Sequence, residues 1–269
     1  MTLRRTLFLV ALAPCGTAWA APGEYQCLIE PYQKIEIRSS VEALIETVHV
    51  QRGSTVRKGQ ALVQLNAGVE QAALESARYR AVMEGQVRSS QARVDYARDK
   101  LKRREELSRQ NFVSSQDRDD AAAELRVAEA ELQEAKDNRQ LSSLETRRLQ
   151  ELLRQRTLYS PFNGVVTEVE QHPGELAQTG EGARPILKMA QIHPLRVEAV
   201  LPASLYASIR QGASAEVEAE APSKGSYTAR VQIVDKVVDS ASGTFGVRLE
   251  LPNPAGNILA GVKCKVRFR

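Results

Sequence analysis

The chain has 269 residues, with 37 Lys and Arg against 33 Asp and Glu, and a formal net charge of +4. The basic residues are interleaved with acidic ones, so this charge predicts a solvated surface rather than a nucleic-acid-binding patch. We therefore expect no nucleic-acid partner.

The N-terminus predicts a secretory signal peptide over residues 1–20. Two arginines precede an apolar run, and residues 18–20 read Ala-Trp-Ala, which suits a signal peptidase. The run is short for a bilayer, which disfavours an uncleaved anchor, and Pro14 directly before Cys15 disfavours acylation of that cysteine. No other apolar run approaches the ~20 residues of a membrane helix. We expect a cleaved, exported protein that is soluble or peripheral.

Strand patterns follow the signal peptide. Ile35 and Ile37 alternate with charged residues, which is typical of a half-buried strand. We expect residues 21–40 to form an N-terminal strand. Apolar pairs and two glycine turns continue the strand pattern over residues 41–65.

Residues 66–156 are rich in Ala, Leu, Glu, Arg and Gln and contain no Pro. This composition favours helix almost throughout, and the Asn and Ser residues at 110–115 can end one helix and cap the next. We therefore predict two long antiparallel helices. At about 1.5 Å per residue, arms of roughly 45 residues form a rod about 65 Å long.

Both arms carry a heptad pattern, with small or apolar residues in alternating steps of four and three, as in a left-handed coiled coil. The row of the second arm includes Ala121, Leu125, Ala128, Leu132 and Ala135. The rows of the first arm are Val69, Ser76, Met83, Ser90 and Ala97, and Ala73, Arg80, Val87, Val94 and Leu101. Such thin seams leave the outer helix faces available to further partners.

The strand pattern after the helices repeats the one before them. Gly53 aligns with Gly174, and the flanking glycines and valines follow at the same offset of 121 residues. A single strand-turn-strand unit cannot bury its own apolar face. We therefore predict that residues 41–65 and 157–190 are the halves of one small β-sandwich into which the helices are inserted.

Residues 191–269 contain many short strand patterns separated by Pro and Gly turn signals, with one helical turn expected at residues 203–210. Closing such strands into a barrel hides their edges. We therefore predict a β-barrel domain, to which the N-terminal strand of residues 21–40 contributes.

The ordered combination of these parts resembles the periplasmic adaptor proteins, also called membrane fusion proteins, of the HlyD-like and RND-type efflux kind. Residues 56–62, VRKGQAL, are similar to the first half-motif of the family, and residues 159–166, YSPFNGVV, to the second. The resemblance implies an elongated multi-domain α+β protein. Its lipoyl-like β-sandwich is split by a coiled-coil hairpin and followed by a β-barrel. Many RND-associated adaptors continue into a membrane-proximal domain, which we do not expect here.

No enzymatic chemistry is indicated. A carrier domain holds its cofactor on a Lys at the junction of its halves, whereas Lys58 and Lys188 lie inside the half-motifs. His49, His172 and His193 are far apart, and none stands near a Cys at metal-ligand spacing. Nucleophile, phosphate-loop and dinucleotide motifs are absent. We expect no enzyme activity, cofactor or metal.

The candidate functional residues lie at the turn between the helices. Arg103, Leu107 and Ser114 match the tip pattern Arg-x3-Leu-x6-Ser, in which adaptors that dock on TolC-type channels resemble one another. Arg offers several donors, Leu an apolar knob, and Ser a helix cap with a hydroxyl. The next position of the pattern is usually apolar, and here it is Arg118. The alternative interpretation is a plain cap between two helices.

Two cysteines, Cys27 and Cys264, remain after the signal peptide is removed, in an oxidising compartment. Either they form a disulfide, or each is a small buried residue in a strand; the sequence favours neither. If the N-terminal strand joins the barrel, Cys27 comes close to Cys264.

The resemblance implies a periplasmic adaptor that is peripheral to the inner membrane. It would link an inner-membrane transporter of the RND or ABC class to a TolC-type outer-membrane channel, for efflux or secretion. Six adaptors per assembly are implied as well. The alternative hypothesis is an exported coiled-coil scaffold or binding module without a transport role.

Overall fold

The structure is a computed structural model that describes residues 23–268, so the predicted signal peptide lies outside the described residues. The chain divides into two compact units. The first takes residues up to Lys34 and from Ala190 onward, and the second is Ile35–Met189. The predicted α+β fold class, with a helical hairpin inserted into a β-domain and followed by a β-barrel, is confirmed.

The described elements follow in chain order. The strands are β1 Tyr25–Ile37, β2 Ala43–Val48, β3 Thr55–Val56, β4 Ala61–Leu65, β5 Thr157–Tyr159, β6 Gly164–Val169, β7 Leu176–Ala177, β8 Leu187–Pro202, β9 Ser214–Ala219, β10 Gly225–Val234, β11 Thr244–Leu251 and β12 Val262–Phe268. The helices are α1 Gly68–Val82, α2 Gly85–Arg109 and α3 Ser115–Arg154. The helical turn expected at residues 203–210 is a short 3-10 helix, Ala203–Leu205.

Six antiparallel strands form the barrel. They pair in the order β1-β12-β9-β10-β11-β8, and β8 also pairs with β1, so the ladder closes on itself. Alternate residues of β11 point inward, and Phe245, Val247, Leu249 and Leu251 are all buried. This period of two is the alternation that a strand with one buried face requires.

A disulfide joins the first and last strands of the barrel. The antiparallel register of β1 and β12 sets Cys27 directly opposite Cys264, with Cα atoms 4.8 Å apart. The two sulfur atoms are bonded at 2.09 Å, and both side chains are buried. The bond therefore ties together positions that are 237 residues apart in the sequence.

The 121-residue repeat is confirmed by a symmetric exchange of hydrogen bonds between the two halves of the small β-domain. The N–H of Gly53 donates to the carbonyl of Val166, and the N–H of Gly174 donates to the carbonyl of Ile45, both at 2.8 Å. Both glycines have positive φ angles, +88° and +90°, which only glycine adopts readily. Each half therefore completes the strand pairing of the other.

The first arm of the hairpin is broken, which corrects the prediction of one long helix. α1 ends at Val82, Met83 adopts an extended conformation, and α2 begins at Gly85. A glycine at this point weakens the helix, and Glu84, the N-cap of α2, makes no side-chain capping hydrogen bond.

The break also explains why the predicted heptad rows fail in α1 and hold in α2. Val69 and Met83, both in the predicted seam, are 79% and 56% exposed, and the buried positions of α1 are instead Leu74 and Ala77. In α2 the predicted Val94 is buried, as are Ser90 and Ala97. The interruption resets the rotation of the helix, so one heptad register cannot cover both segments.

The packing of α2 against α3 uses small side chains. Its buried apolar cluster consists of Val94, Ala97, Ala128 and Leu132. Three ion pairs cross between α2 and α3 in the described residues: Arg93 to Glu131 at 2.8 Å, Arg98 to Glu129 at 3.7 Å, and Lys100 to Glu124 at 2.5 Å. These pairs are largely exposed, so each adds little to stability.

Candidate docking site at the hairpin tip

The end of α2 is a Schellman motif. Asn111 adopts a left-handed conformation with a φ of +62°, which Asn tolerates better than most residues. Its N–H donates to the carbonyl of Ser108 at 3.0 Å, and the N–H of Phe112 donates to the carbonyl of Leu107 at 2.9 Å. These bonds satisfy the last carbonyls of the helix, and they fix the direction in which the chain leaves α2.

The start of α3 is a capping box. The N–H of Asp117 donates to the Ser114 Oγ at 3.1 Å, and the Ser114 N–H donates to the Asp117 carboxylate, also at 3.1 Å. The Ser114 hydroxyl donates to the same carboxylate at 2.6 Å. These hydrogen bonds from Ser114 lower the pKa of Asp117 below its ordinary value. The predicted helix break and Ser cap are therefore confirmed.

The four predicted site residues all lie beside this turn. Arg103 and Leu107 occupy the last two turns of α2, Ser114 is the N-cap of α3, and Arg118 lies in the first turn of α3. All four are exposed. Arg118 is held by its neighbour, because its guanidinium donates to the Asp119 carboxylate at 2.7 and 3.0 Å. The fold thus places all four residues of the pattern beside one exposed turn.

Sequence reasoning missed Phe112. Its side chain is 74% exposed, compared with 39% for Leu107. A signal was present in the sequence, because Asn followed by an apolar residue just after a helix is typical of a Schellman motif. The exposed large apolar residues of the tip are therefore Leu107 and Phe112, which the motif joins through a backbone hydrogen bond.

Two other features are absent from the described residues. Among residues 23–268, no three or more His, Cys, Asp or Glu side chains are grouped so that they could hold a metal ion. Within the same residues, every helix is too short or too polar to cross a membrane.

Comparison with known families defines the class of protein. Residues 79–152 match the model for the alpha-helical hairpin domain of RND membrane fusion proteins, and residues 194–269 match the model for the CusB-like beta-barrel domain. Together the two matches cover more than half of the chain, in the order that the structure shows. The chain belongs to the membrane fusion protein family, whose members are adaptor subunits.

Individual relatives agree with this assignment. Multidrug export protein AcrE of Escherichia coli is 25% identical, over 98% of this chain and 67% of its own length. Multidrug resistance protein MdtE of the same species is also 25% identical, over 92% of this chain and 65% of its own. The chain thus spans about two thirds of the length of these relatives.

A solved structure shows the same fold. MacA from Actinobacillus actinomycetemcomitans superposes with a TM-score of 0.76, at 18% identity, over 93% of this chain and 79% of that one. At this level of sequence identity, the similarity is evidence for the fold alone.

Proposed function

We propose that this chain is a periplasmic adaptor that links an inner-membrane transporter to a TolC-type outer-membrane channel, and that the hairpin tip is its contact with the channel. The observation that carries the proposal is the tip itself. Arg103, Leu107 and Ser114 are exposed at a turn whose two helix ends are both fully capped. A capped turn holds its side chains in place before a partner arrives, which lowers the entropic cost of binding.

The rest of the assembly follows from the family. The inner-membrane partner is a transporter of the RND or ABC class, and the transport is efflux or secretion. The adaptor acts in the periplasm, peripheral to the inner membrane, after its signal peptide is cleaved. Six copies surround the transporter, with hairpins side by side, and the thin helical seams support this arrangement because they leave outer faces for neighbours.

Transport by tip variants tests the proposal. Leu107→Ala and Ser114→Arg should abolish transport in a strain that depends on this chain. A small contact relies on a few anchors, and removing one can cost more than about 2 kcal/mol of binding free energy. Ser114→Arg additionally places a charge in the contact, where burying it without a partner is unfavourable.

The matched control is Leu141→Ala. Leu141 is 62% exposed on α3, in the same hairpin but away from the tip, so this variant should transport normally. Leu107→Ala and Leu141→Ala should express and melt like the wild type, because exposed positions contribute little to folding. Ser114→Arg removes the N-cap of α3 and should melt somewhat lower, by the ~1 kcal/mol of a lost cap, while remaining folded. Normal transport by both tip variants would remove the tip as a channel contact. Transport that continues when the whole chain is deleted would favour a scaffold without a transport role.

Arg118→Leu tests the fourth position in the opposite direction. The Arg118 guanidinium contacts Asp119 in the free protein, and an apolar residue is usual at this place in the tip pattern. The variant should dock at least as tightly as the wild type to a channel that accepts the apolar residue. Weaker docking would mean that this channel selects the arginine.

A further inference from the structure

The most exposed large apolar side chain at the hairpin turn belongs to Phe112, at 74%. Neither helix needs this ring for packing, because the buried cluster of the hairpin is built from Val94, Ala97, Ala128 and Leu132. An aromatic ring left in water at the end of an otherwise charged rod indicates a surface that is covered in an assembly.

Backbone hydrogen bonds of the Schellman motif fix the position of Phe112. Its N–H is bonded to the carbonyl of Leu107, and the preceding Asn111 is locked in the left-handed region by the same motif. In a Schellman motif the residue at the place of Phe112 often packs against the residue at the place of Leu107. Here both side chains remain exposed beside the same turn, and we call this pair of residues the apolar knob.

The helix face behind this knob is basic. At 100° per residue, Arg103 and Arg104 lie within about 60° of Leu107 around α2, whereas Glu105 lies about 160° away. Within residues 23–268 Arg103 makes no ion pair, whereas Arg104 lies close enough to the Asp117 carboxylate to help lower its pKa. The knob is therefore flanked by a cationic group that has not been neutralised, and its complement is an apolar pocket with a carboxylate on its rim.

We propose that Phe112 is the anchor of the tip, inserting into an apolar, acid-rimmed pocket on the outer-membrane channel. This inference rests on the proposed function and deepens it, since it names the anchoring residue and the chemistry of the partner surface. Aromatic anchors in central, desolvated pockets are typical of binding hot spots, and the arginine beside the ring gives the contact its electrostatic preference.

The experiment measures binding of the full mature chain to the purified TolC-type channel of the same organism. Phe112→Ala should weaken binding more than tenfold, whereas Phe112→Leu, which keeps an apolar knob, should bind within about threefold of the wild type. Arg103→Glu should weaken binding and reverse the effect of added salt, because the rim of the pocket is acidic.

Tyr96→Ala is the matched control. Tyr96 is an aromatic residue of α2 that is 62% exposed and distant from the turn, so its removal should leave binding unchanged. Hydrogen exchange at the Phe112 amide should remain protected in Phe112→Ala, which shows that the cap survives the substitution.

The possible outcomes distinguish a failure of the Phe112 anchor from a failure of the proposed docking function. If Phe112→Ala binds like the wild type while Ser114→Arg does not bind, the anchor is overturned and the docking tip stands. If neither variant loses binding, both the Phe112 anchor and the docking role of the tip are wrong. If Phe112→Ala weakens only the self-association of the chain, measured by sedimentation without the channel, the ring packs on a second copy and the proposal is wrong.

Discussion

The barrel and the hairpin are stabilised in different ways. Of the described residues, nineteen form the buried apolar core of the barrel, among them Phe245, Leu249 and Leu251, and a disulfide crosses two of its strands. The α2–α3 cluster has four buried residues, of which two are alanines. Since apolar burial stabilises by about 25 cal/mol per Å², the barrel gains far more from each of its residues than the hairpin does.

This difference indicates a division of roles. The large buried core and the disulfide of the barrel stabilise this domain strongly, so its surface keeps a fixed conformation. The hairpin is stabilised by many weak contacts along its length. A substitution of an exposed side chain at the tip therefore changes the free energy of unfolding little, and the residues there can be chosen for binding. The predictions below test this division, beginning with the largest expected effect.

Removing the disulfide should cost the barrel most. The bond joins residues 237 apart in the sequence, and the chain-entropy model predicts a loss of about 5.5 kcal/mol for the double variant Cys27→Ala, Cys264→Ala. Urea unfolding measures the change in the free energy of unfolding. Hydrogen exchange of the β1 and β12 amides locates the loss in the strands that the disulfide joins. Reduced wild-type protein is the control and should behave like the variant. Equal stability of oxidised and reduced protein would contradict the prediction.

The same substitution in the two regions should have unequal effects. Leu249→Ala in the barrel should cost about 3–4 kcal/mol, because Leu249 is fully buried among rigid strands. Leu132→Ala in the hairpin should cost about 2 kcal/mol, since two helices with small neighbours can close around the gap. Hydrogen exchange on β11 and helical circular dichroism measure the two losses separately. A larger loss for Leu132→Ala would break the comparison.

The smallest expected effect is the pH dependence of the cap. Hydrogen bonds from Ser114 lower the pKa of Asp117 in the folded protein. The cap is therefore stabilised by the ionised carboxylate above the ordinary Asp pKa, and this contribution is lost as the pH falls through the lowered value. Nuclear magnetic resonance titration of Asp117 measures it. In Ser114→Ala the pKa should rise towards its ordinary value, and an unchanged pKa would contradict the assigned cause.

Features that depend on local composition or on spacing could be predicted from the sequence. The helical arms follow from Ala, Leu, Glu and Arg over residues 66–156, and the two-fold β-domain follows from the repeat of Gly53 at Gly174. The Ser114 cap follows from the residue types that bind helix N–H groups. Each of these features depends either on residues close together in the sequence or on a repeat with a constant spacing, so the sequence alone is enough to predict it.

Features set by competition between neighbouring segments could not be predicted. A glycine inside a helical pattern is usually tolerated, so nothing at Gly85 alone announced the break between α1 and α2. The heptad rows of α1 failed with it, because their register assumed one continuous helix. Pairing of Cys27 with Cys264 depends on the register of β1 against β12, which residue types alone do not specify.

The most direct test of the central claim is site-specific photo-crosslinking in cells. A photoreactive residue at Gln110, in the tip, should capture the TolC-type outer-membrane channel, identified by mass spectrometry. The same residue at Val200, which is 61% exposed on the barrel, should not. Capture of the channel from Val200 but not from Gln110 would contradict the assignment of docking to the hairpin tip.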